Sequence, residues 1–192
     1  MTGKVVTELA DREAKATILF EKAPPVFFLD TRRFGTLDLL PNTSVESYFQ
    51  SKGIGPEPWP EKRDGQWWEQ QLKGLRGAIK PSLMKQERVA GLGNIMASEI
   101  LWAARVDPGK NVPDLSSDEW TAIAEAAYEV ISRVIAVEEG DEIVYIGDGG
   151  SPEASGFSVY AREGEPAPCC NGAVERFVQS GRSTFHCPRC QT

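Results

Sequence analysis

All four cysteines of this 192-residue chain lie between positions 169 and 190. Cys187-Pro188-Arg189-Cys190 is a C-x-x-C, and sixteen residues separate it from Cys170, with Cys169 adjacent. Two thiolate pairs joined by a short hairpin can hold a mini-domain around a tetrahedral metal when apolar residues are too few to form a core. A disulfide scaffold would normally spread its cysteines along a secreted chain, so a reduced compartment and a bound Zn2+ explain the clustering better. One half of the pattern is irregular, because Cys169 and Cys170 are neighbours rather than a C-x-x-C, and both reach one ion only with some strain. His186, the chain's single histidine, stands beside Cys187. It reads as a side chain packed on the hairpin rather than as a ligand.

The net charge of -7 argues against a polyanionic partner when taken alone. Its distribution reverses that argument. Residues 111–156 carry 1 basic and 11 acidic groups, whereas residues 62–110 carry 9 and 5 and residues 157–192 carry 4 and 3. A binding face made by the last two segments can be neutral to positive while the acid faces elsewhere, and the local field is what steers a polyanion. No apolar run is long enough to span a bilayer, and the N-terminus lacks a signal-peptide pattern. A monomer in the cytoplasm, without a membrane partner, is the expectation.

Hydrophobic patterning gives the order β, then α, then a small β-ribbon. Residues 4–9, 15–20 and 25–30 have strand character, the last two flanking a Lys22-Ala23-Pro24-Pro25 turn as a hairpin. Gly35-Thr36-Leu37-Asp38-Leu39-Leu40 is expected to add a further strand. Asn42-Thr43-Ser44-Val45-Glu46 signals a helix cap. Residues 53–60, rich in Gly and Pro, read as a linker. Helices are expected over 66–76, 79–84 and 95–104. Ser116-Ser117-Asp118-Glu119 is a capping box opening a long helix over 120–137. Residues 138–156 are acidic and Gly-rich and read as a loop. So few strands make a thin β layer with an edge that needs pairing.

Three short motifs carry chemistry. In Val89-Ala90-Gly91-Leu92-Gly93-Asn94-Ile95, two glycines break a helical pattern and a new helix starts at Asn94. That is either a tight connection between helices or a turn that aims N–H groups and the Asn94 amide at a phosphate. Asp30-Thr31-Arg32-Arg33-Phe34-Gly35 ends a strand with two cations and a ring. Its plain reading is a solvated hairpin end; its functional one is a cation and a wedge entering a distorted duplex. Arg182 lies near the tip of the cysteine hairpin, placed to grip phosphate.

Together these segments resemble the formamidopyrimidine-DNA glycosylase / endonuclease VIII (Fpg/Nei) family of base-excision repair enzymes. Met1-Thr2-Gly3-Lys4 looks like the family's Met-[Ser/Thr]-Gly strand start, and Asp30 to Gly35 looks like its Asp-x-Arg-[Arg/Lys]-Phe-Gly. Ile79-Lys80-Pro81-Ser82-Leu83-Met84 through Asn94-Ile95-Met96-Ala97-Ser98-Glu99 is similar to its helix-two-turn-helix core. Ser158-Val159-Tyr160-Ala161-Arg162 leads into a zinc finger, as in the family.

The resemblance implies an α+β fold: a remnant of an N-terminal β-sandwich over 1–58, a helix-two-turn-helix domain with its Gly-rich loop over 59–156, and a zinc-ribbon hairpin over 157–192. It implies that Asn94 and Arg182, with Lys80 as a weaker candidate, bind phosphates flanking a lesion. It implies that Arg32 faces the base opposite an extruded nucleotide, that Phe34 wedges beside it, and that Met1 fills the vacated stack. Residues 147–156 correspond to a loop covering the flipped base, whose extrusion is least costly where pairing is weak. The partner is double-stranded DNA with a damaged or abasic site.

The chain departs from the family in two places. The family nucleophile, an N-terminal proline amine followed by a glutamate, has no counterpart here, so no catalytic residue is assigned and the chain as given is expected to be inactive or to lack its beginning. The family's first zinc cysteine aligns with Ala167. Cys170, Cys187 and Cys190 align with the other three, and Cys169 is the candidate replacement. Three functions follow in order: a glycosylase/AP lyase without its catalytic start, a non-catalytic lesion-binding protein, and a zinc-ribbon module for protein or RNA.

Overall fold

The computed structural model describes residues 3–9, 13–31, 33, 35–40, 44–138 and 156–192. Met1, Arg32 and Phe34 lie outside the described residues, as does all of the 147–156 loop except Gly156. The chain divides into two compact units, Met1–Tyr48 and Phe49–Thr192.

The first unit holds a three-stranded antiparallel sheet in the order β1-β3-β2, with β1 at Gly3–Val6, β2 at Ala16–Ile18 and β3 at Val26–Asp30. The expected hairpin forms, with Ala16 opposite Phe28 and Ile18 opposite Val26. The further strand expected over 35–40 does not form. Within the sheet β3 is flanked by β1 and β2. The chain after β3 is instead turned by Asp30, whose buried carboxylate accepts the Gly35 amide at 2.6 Å. Leu37, Leu39, Val5, Leu19 and Phe20 are exposed. Helix α1, Val45–Ser51, runs across the division. Its start is fixed by the Ser44 hydroxyl, which accepts the Ser47 amide at 3.1 Å.

The second unit is built on helices α2 (Gly65–Leu72), α3 (Ile79–Leu83), α4 (Asn94–Ala103) and α5 (Ser117–Glu138). Asp64 caps α2 by accepting the Trp67 amide at 2.8 Å. The helix ends at Leu72, earlier than its apolar pattern suggests, because Gly74 takes a positive φ of 85°. The capping box at α5 is complete: the Ser116 hydroxyl accepts the Glu119 amide, and the Glu119 carboxylate accepts the Ser116 amide. Residues 53–60 are pinned to the helical unit. Gly55 N–H donates to the Gln86 carbonyl and Ala90 N–H to the Pro56 carbonyl.

The core gathers Trp68 and Leu72 from α2, Ile79 and Leu83 from α3, Ile100 and Leu101 from α4, and Ile123 and Ala127 from α5. Burying each large side chain contributes about 1.5–3 kcal/mol. Gly65 lets the start of α2 touch α5: a Cβ there would stand 2.8 Å from the Thr121 nitrogen. Leu101 is fully buried, so Leu101→Ala is expected to destabilise the unit by about 2–5 kcal/mol. A urea titration followed by far-UV circular dichroism measures this.

The C-terminal hairpin pairs β4 (Glu175–Gln179) with β5 (Arg182–His186). Only Ser180 and Gly181 join them, both with positive φ (48° and 74°), the backbone that a two-residue hairpin turn requires. The buried cluster around the hairpin is small, with Val159, Ala167, Val174, Phe185 and Cys187 at its centre. Too little apolar surface is buried there to hold the hairpin unaided. Among the described residues, no helix is long and apolar enough to cross a membrane.

Candidate nucleic-acid interface and metal centre

Three segments distant in sequence meet at Lys80. The residue sits on α3, and its side chain is almost fully buried, at 1% exposure. Its ammonium donates to Asn94 Oδ1 at 2.6 Å, to Thr184 Oγ1 at 2.9 Å and to the Ser183 carbonyl at 3.1 Å. None of these acceptors is a carboxylate. Burial, and after it the nearby Arg182 guanidinium, lower the Lys80 pKa to about 8. Asn94 Nδ2 also donates to the Ser183 carbonyl, at 2.9 Å, and lies 3.5 Å from the Tyr160 hydroxyl. The α3–α4 turn and the hairpin therefore share one hydrogen-bonded lattice. Thr184 extends it by donating to Gln179 Oε1, and Gln179 Nε2 donates to the Pro108 carbonyl.

Asn94 opens α4. The residue before it, Gly93, has no side chain to cap the helix, which leaves the positive end of α4 available to an anion. Arg182 opens β5 directly after the tight turn. Lys80 and Arg182 share a depression of about 190 Å³, with Pro81, Met84, Gln179 and Ser180 as its other walls. Two cations converge there, and Lys80 connects them to the uncapped start of α4 through Asn94, an arrangement suited to a phosphate.

The structure thus brings Lys80, Asn94 and Arg182 together, with Lys80 more deeply buried than a surface contact would be. Motif reading did not find Thr184 or Tyr160, because their partners lie 104 and 66 residues away. An apolar cavity of about 370 Å³ opens beside the same turn, with Trp59, Leu92, Ile95, Met96, Ile131 and Phe157 among its walls.

At the other end of the hairpin the sulfurs of Cys169, Cys170, Cys187 and Cys190 all lie within 4.8 Å of one another. Cys170 and Cys187 Sγ are 3.4 Å apart, and Cys169 and Cys170 Sγ are 3.8 Å apart. A tetrahedral ion with metal–sulfur bonds of about 2.3 Å needs sulfur–sulfur edges of about 3.8 Å. The four cysteines can therefore bind a metal, and the donor set is soft thiolate throughout. Ala167 is buried at 1% exposure, and Cys169 is one of the four cysteines of the cluster. The thiols are unlike one another. Hydrogen bonding, first from Cys190, lowers Cys170 to about 7, whereas burial above all raises Cys187. His186 is not in the cluster. Its ring packs edge-on against Phe177 at 5.1 Å, and burial lowers its pKa.

The family model for the formamidopyrimidine-DNA glycosylase H2TH domain matches residues 54–145. The structure superimposes on the crystal structure of MutM (Fpg) from Thermus thermophilus with a TM-score of 0.80 and 33% identity, covering 100% of this chain and 73% of that one. The chain belongs to the formamidopyrimidine-DNA glycosylase family. A Lactococcus lactis Fpg bound to abasic-site DNA is similar at TM-score 0.82 and 32% identity, over 100% of this chain and 71% of that one. The formamidopyrimidine-DNA glycosylase of Rhodopseudomonas palustris is 39% identical over 184 residues, 91% of this chain. That of Streptococcus mutans is 36% identical over 169 residues, 85% of this chain. The chain spans 63% of the length of the first of these and 61% of the second.

Proposed function

We propose that this chain is the DNA-gripping part of a base-excision repair glycosylase, binding double-stranded DNA at a damaged or abasic site. The observation that carries the reading is that Lys80 shares one depression with Arg182 and holds the Asn94 amide by a hydrogen bond, on the turn and hairpin of a family whose solved relatives include DNA complexes. Asn94 and Arg182 contact phosphates on either side of the lesion. Lys80, buried beneath them, supplies charge and fixes the Asn94 amide. Met1, Arg32 and Phe34 are proposed to act at the base pair itself.

One Zn2+ is proposed for the four-cysteine cluster, with Cys169 in place of a ligand at 167. The ion holds the ribbon rigid, and the residues around it do the binding. Zinc held by four reduced thiolates suits the cytoplasm, where thiols stay reduced.

The test is binding of the 192-residue chain to a duplex carrying a tetrahydrofuran abasic analogue. Affinity should exceed that for the undamaged duplex and should fall linearly on a log–log plot against salt, because each phosphate contact releases counterions. Arg182→Ala and Asn94→Ala should each weaken binding roughly tenfold, about 1.4 kcal/mol. Unchanged affinity in both variants would show that the face is wrongly assigned.

Catalysis in this family, as the resemblance implies, uses an N-terminal proline amine, and nothing among the 192 residues aligns with it. The chain is therefore expected to give no borohydride-trapped adduct with abasic DNA. A trapped adduct would point to another amine, with Lys80 the first to check by peptide mapping.

A further inference from the structure

Glu99 is a carboxylate in the core. It lies on α4, five residues after Asn94, and is 0% exposed. Its two oxygens accept three successive backbone amides: Ser158 at 2.8 Å, and Val159 and Tyr160 at 2.9 Å. Arg133, about half exposed, brings a guanidinium nitrogen 3.9 Å from Oε2. The carbonyls of the same stretch are held as well, since Arg162 donates to the Phe157 and Ser158 oxygens. Residues 157–160 are thus gripped through both their donors and their acceptors, with no sheet involved.

The grip matters because of what those residues carry. The Tyr160 hydroxyl meets Asn94 Nδ2, and its ring packs edge-on against Phe185 of β5 at 5.0 Å. Phe157 forms a wall of the apolar cavity that also includes Ile95 and Met96 of α4. Such a carboxylate is costly to bury unless its oxygens are satisfied by hydrogen bonds, and here three amides from one short segment satisfy them.

We propose that Glu99 is a positioning residue for DNA binding: it fixes Tyr160, and through Tyr160 the Asn94 amide, at the phosphate site. This rests on the binding role proposed for Asn94, but the clamp on residues 158–160 is testable without DNA. Glu99→Gln keeps the shape and replaces one accepting oxygen with a donor, which faces an N–H and cannot bond it.

In the zinc-loaded chain, hydrogen exchange at the amides of 158–160 should accelerate at least tenfold in Glu99→Gln, while amides of β4 and β5 keep their protection. Unchanged exchange at 158–160, or equal loss throughout α4 and the hairpin, would overturn the clamp. Affinity for the tetrahydrofuran duplex should fall about tenfold in Glu99→Gln, yet the same change in an Asn94→Ala background should cost almost nothing further, because residues acting through one contact are not additive. Additive losses would overturn the route through Asn94. Failure of the unaltered chain to bind the duplex would sink the binding role itself, and the exchange measurement would still decide the clamp.

Discussion

Stripping the metal from the cysteine cluster is expected to unfold the ribbon and reduce DNA affinity on the order of a hundredfold or more, while the helical core stays folded. Structural Zn2+ supplies about 10–16 kcal/mol to small fingers at neutral pH, and that energy is their folding energy. The ribbon has five buried residues at its centre, one of them Cys187 itself, so nothing comparable would replace an ion. The core around Trp68, Leu72, Ile100 and Ile123 shares no buried residue with that cluster. Cys187→Ser should behave like chelation, with bound zinc falling from one equivalent to near zero. The α-helical circular dichroism should be nearly unchanged. Loss of the helical signal together with the metal would show a single cooperative unit instead.

The irregular half of the site gives a sharper form of the same experiment. Cys169→Ser should remove metal about as effectively as Cys187→Ser if Cys169 supplies the fourth thiolate. Adding Ala167→Cys to that variant should restore binding, because it returns a cysteine to the position where the family pattern has one. Full zinc content in Cys169→Ser alone would exclude the replacement and leave the metal with three cysteines and another donor.

The second large effect is a dependence on pH centred on Lys80. Its pKa in the folded chain is lowered to about 8, first by burial and then by Arg182. The unfolded chain keeps the ordinary value of about 10.4. Between those values the unfolded state binds more protons, so the free chain gains stability as pH rises from about 8 to about 10. DNA binding has the opposite sign. A phosphate beside Lys80 favours its charged form and raises its pKa, so binding takes up a proton above pH 8. Raising the bound-state pKa by about two units gives a fall in affinity on the order of tenfold between pH 7 and pH 9. Lys80→Met should flatten the profile and lower affinity at pH 7. A flat profile for the unaltered chain would mean that no phosphate approaches Lys80. Fluorescence anisotropy at constant ionic strength is the suitable measurement, since salt alone shifts the affinity.

Much of this was legible in residue patterns because the relevant physics is local. The capping box at Ser116 and Glu119, the break at Gly91 and Gly93, and the tight turn before Arg182 each act within a few residues, and each appears where the pattern places it. The strand expected over 35–40 did not form although its alternation was adequate: the chain there is turned by the Asp30 carboxylate, which accepts the Gly35 amide, and Leu37 and Leu39 are exposed. Lys80 was readable as a cation but not as a buried one, because its cover comes from residues 183 and 184. Glu99 gave only a faint signal, an acid among the apolar residues of α4. Its partners lie some sixty residues downstream, beyond any periodicity.

The lattice joining Lys80, Asn94 and the Ser183 carbonyl carries one more consequence. The same β5 strand ends beside Cys187, so the geometry that a bound ion would impose at one end of the hairpin is shared with the contacts at the other. Two ligands that favour one conformation of a common element are linked reciprocally. By whatever factor zinc tightens the grip on duplex, duplex must tighten the hold on zinc. A chain seated on a lesion would therefore hold its ion against a higher concentration of chelator than the same chain free in solution, and the metal would be most secure while the protein is at work.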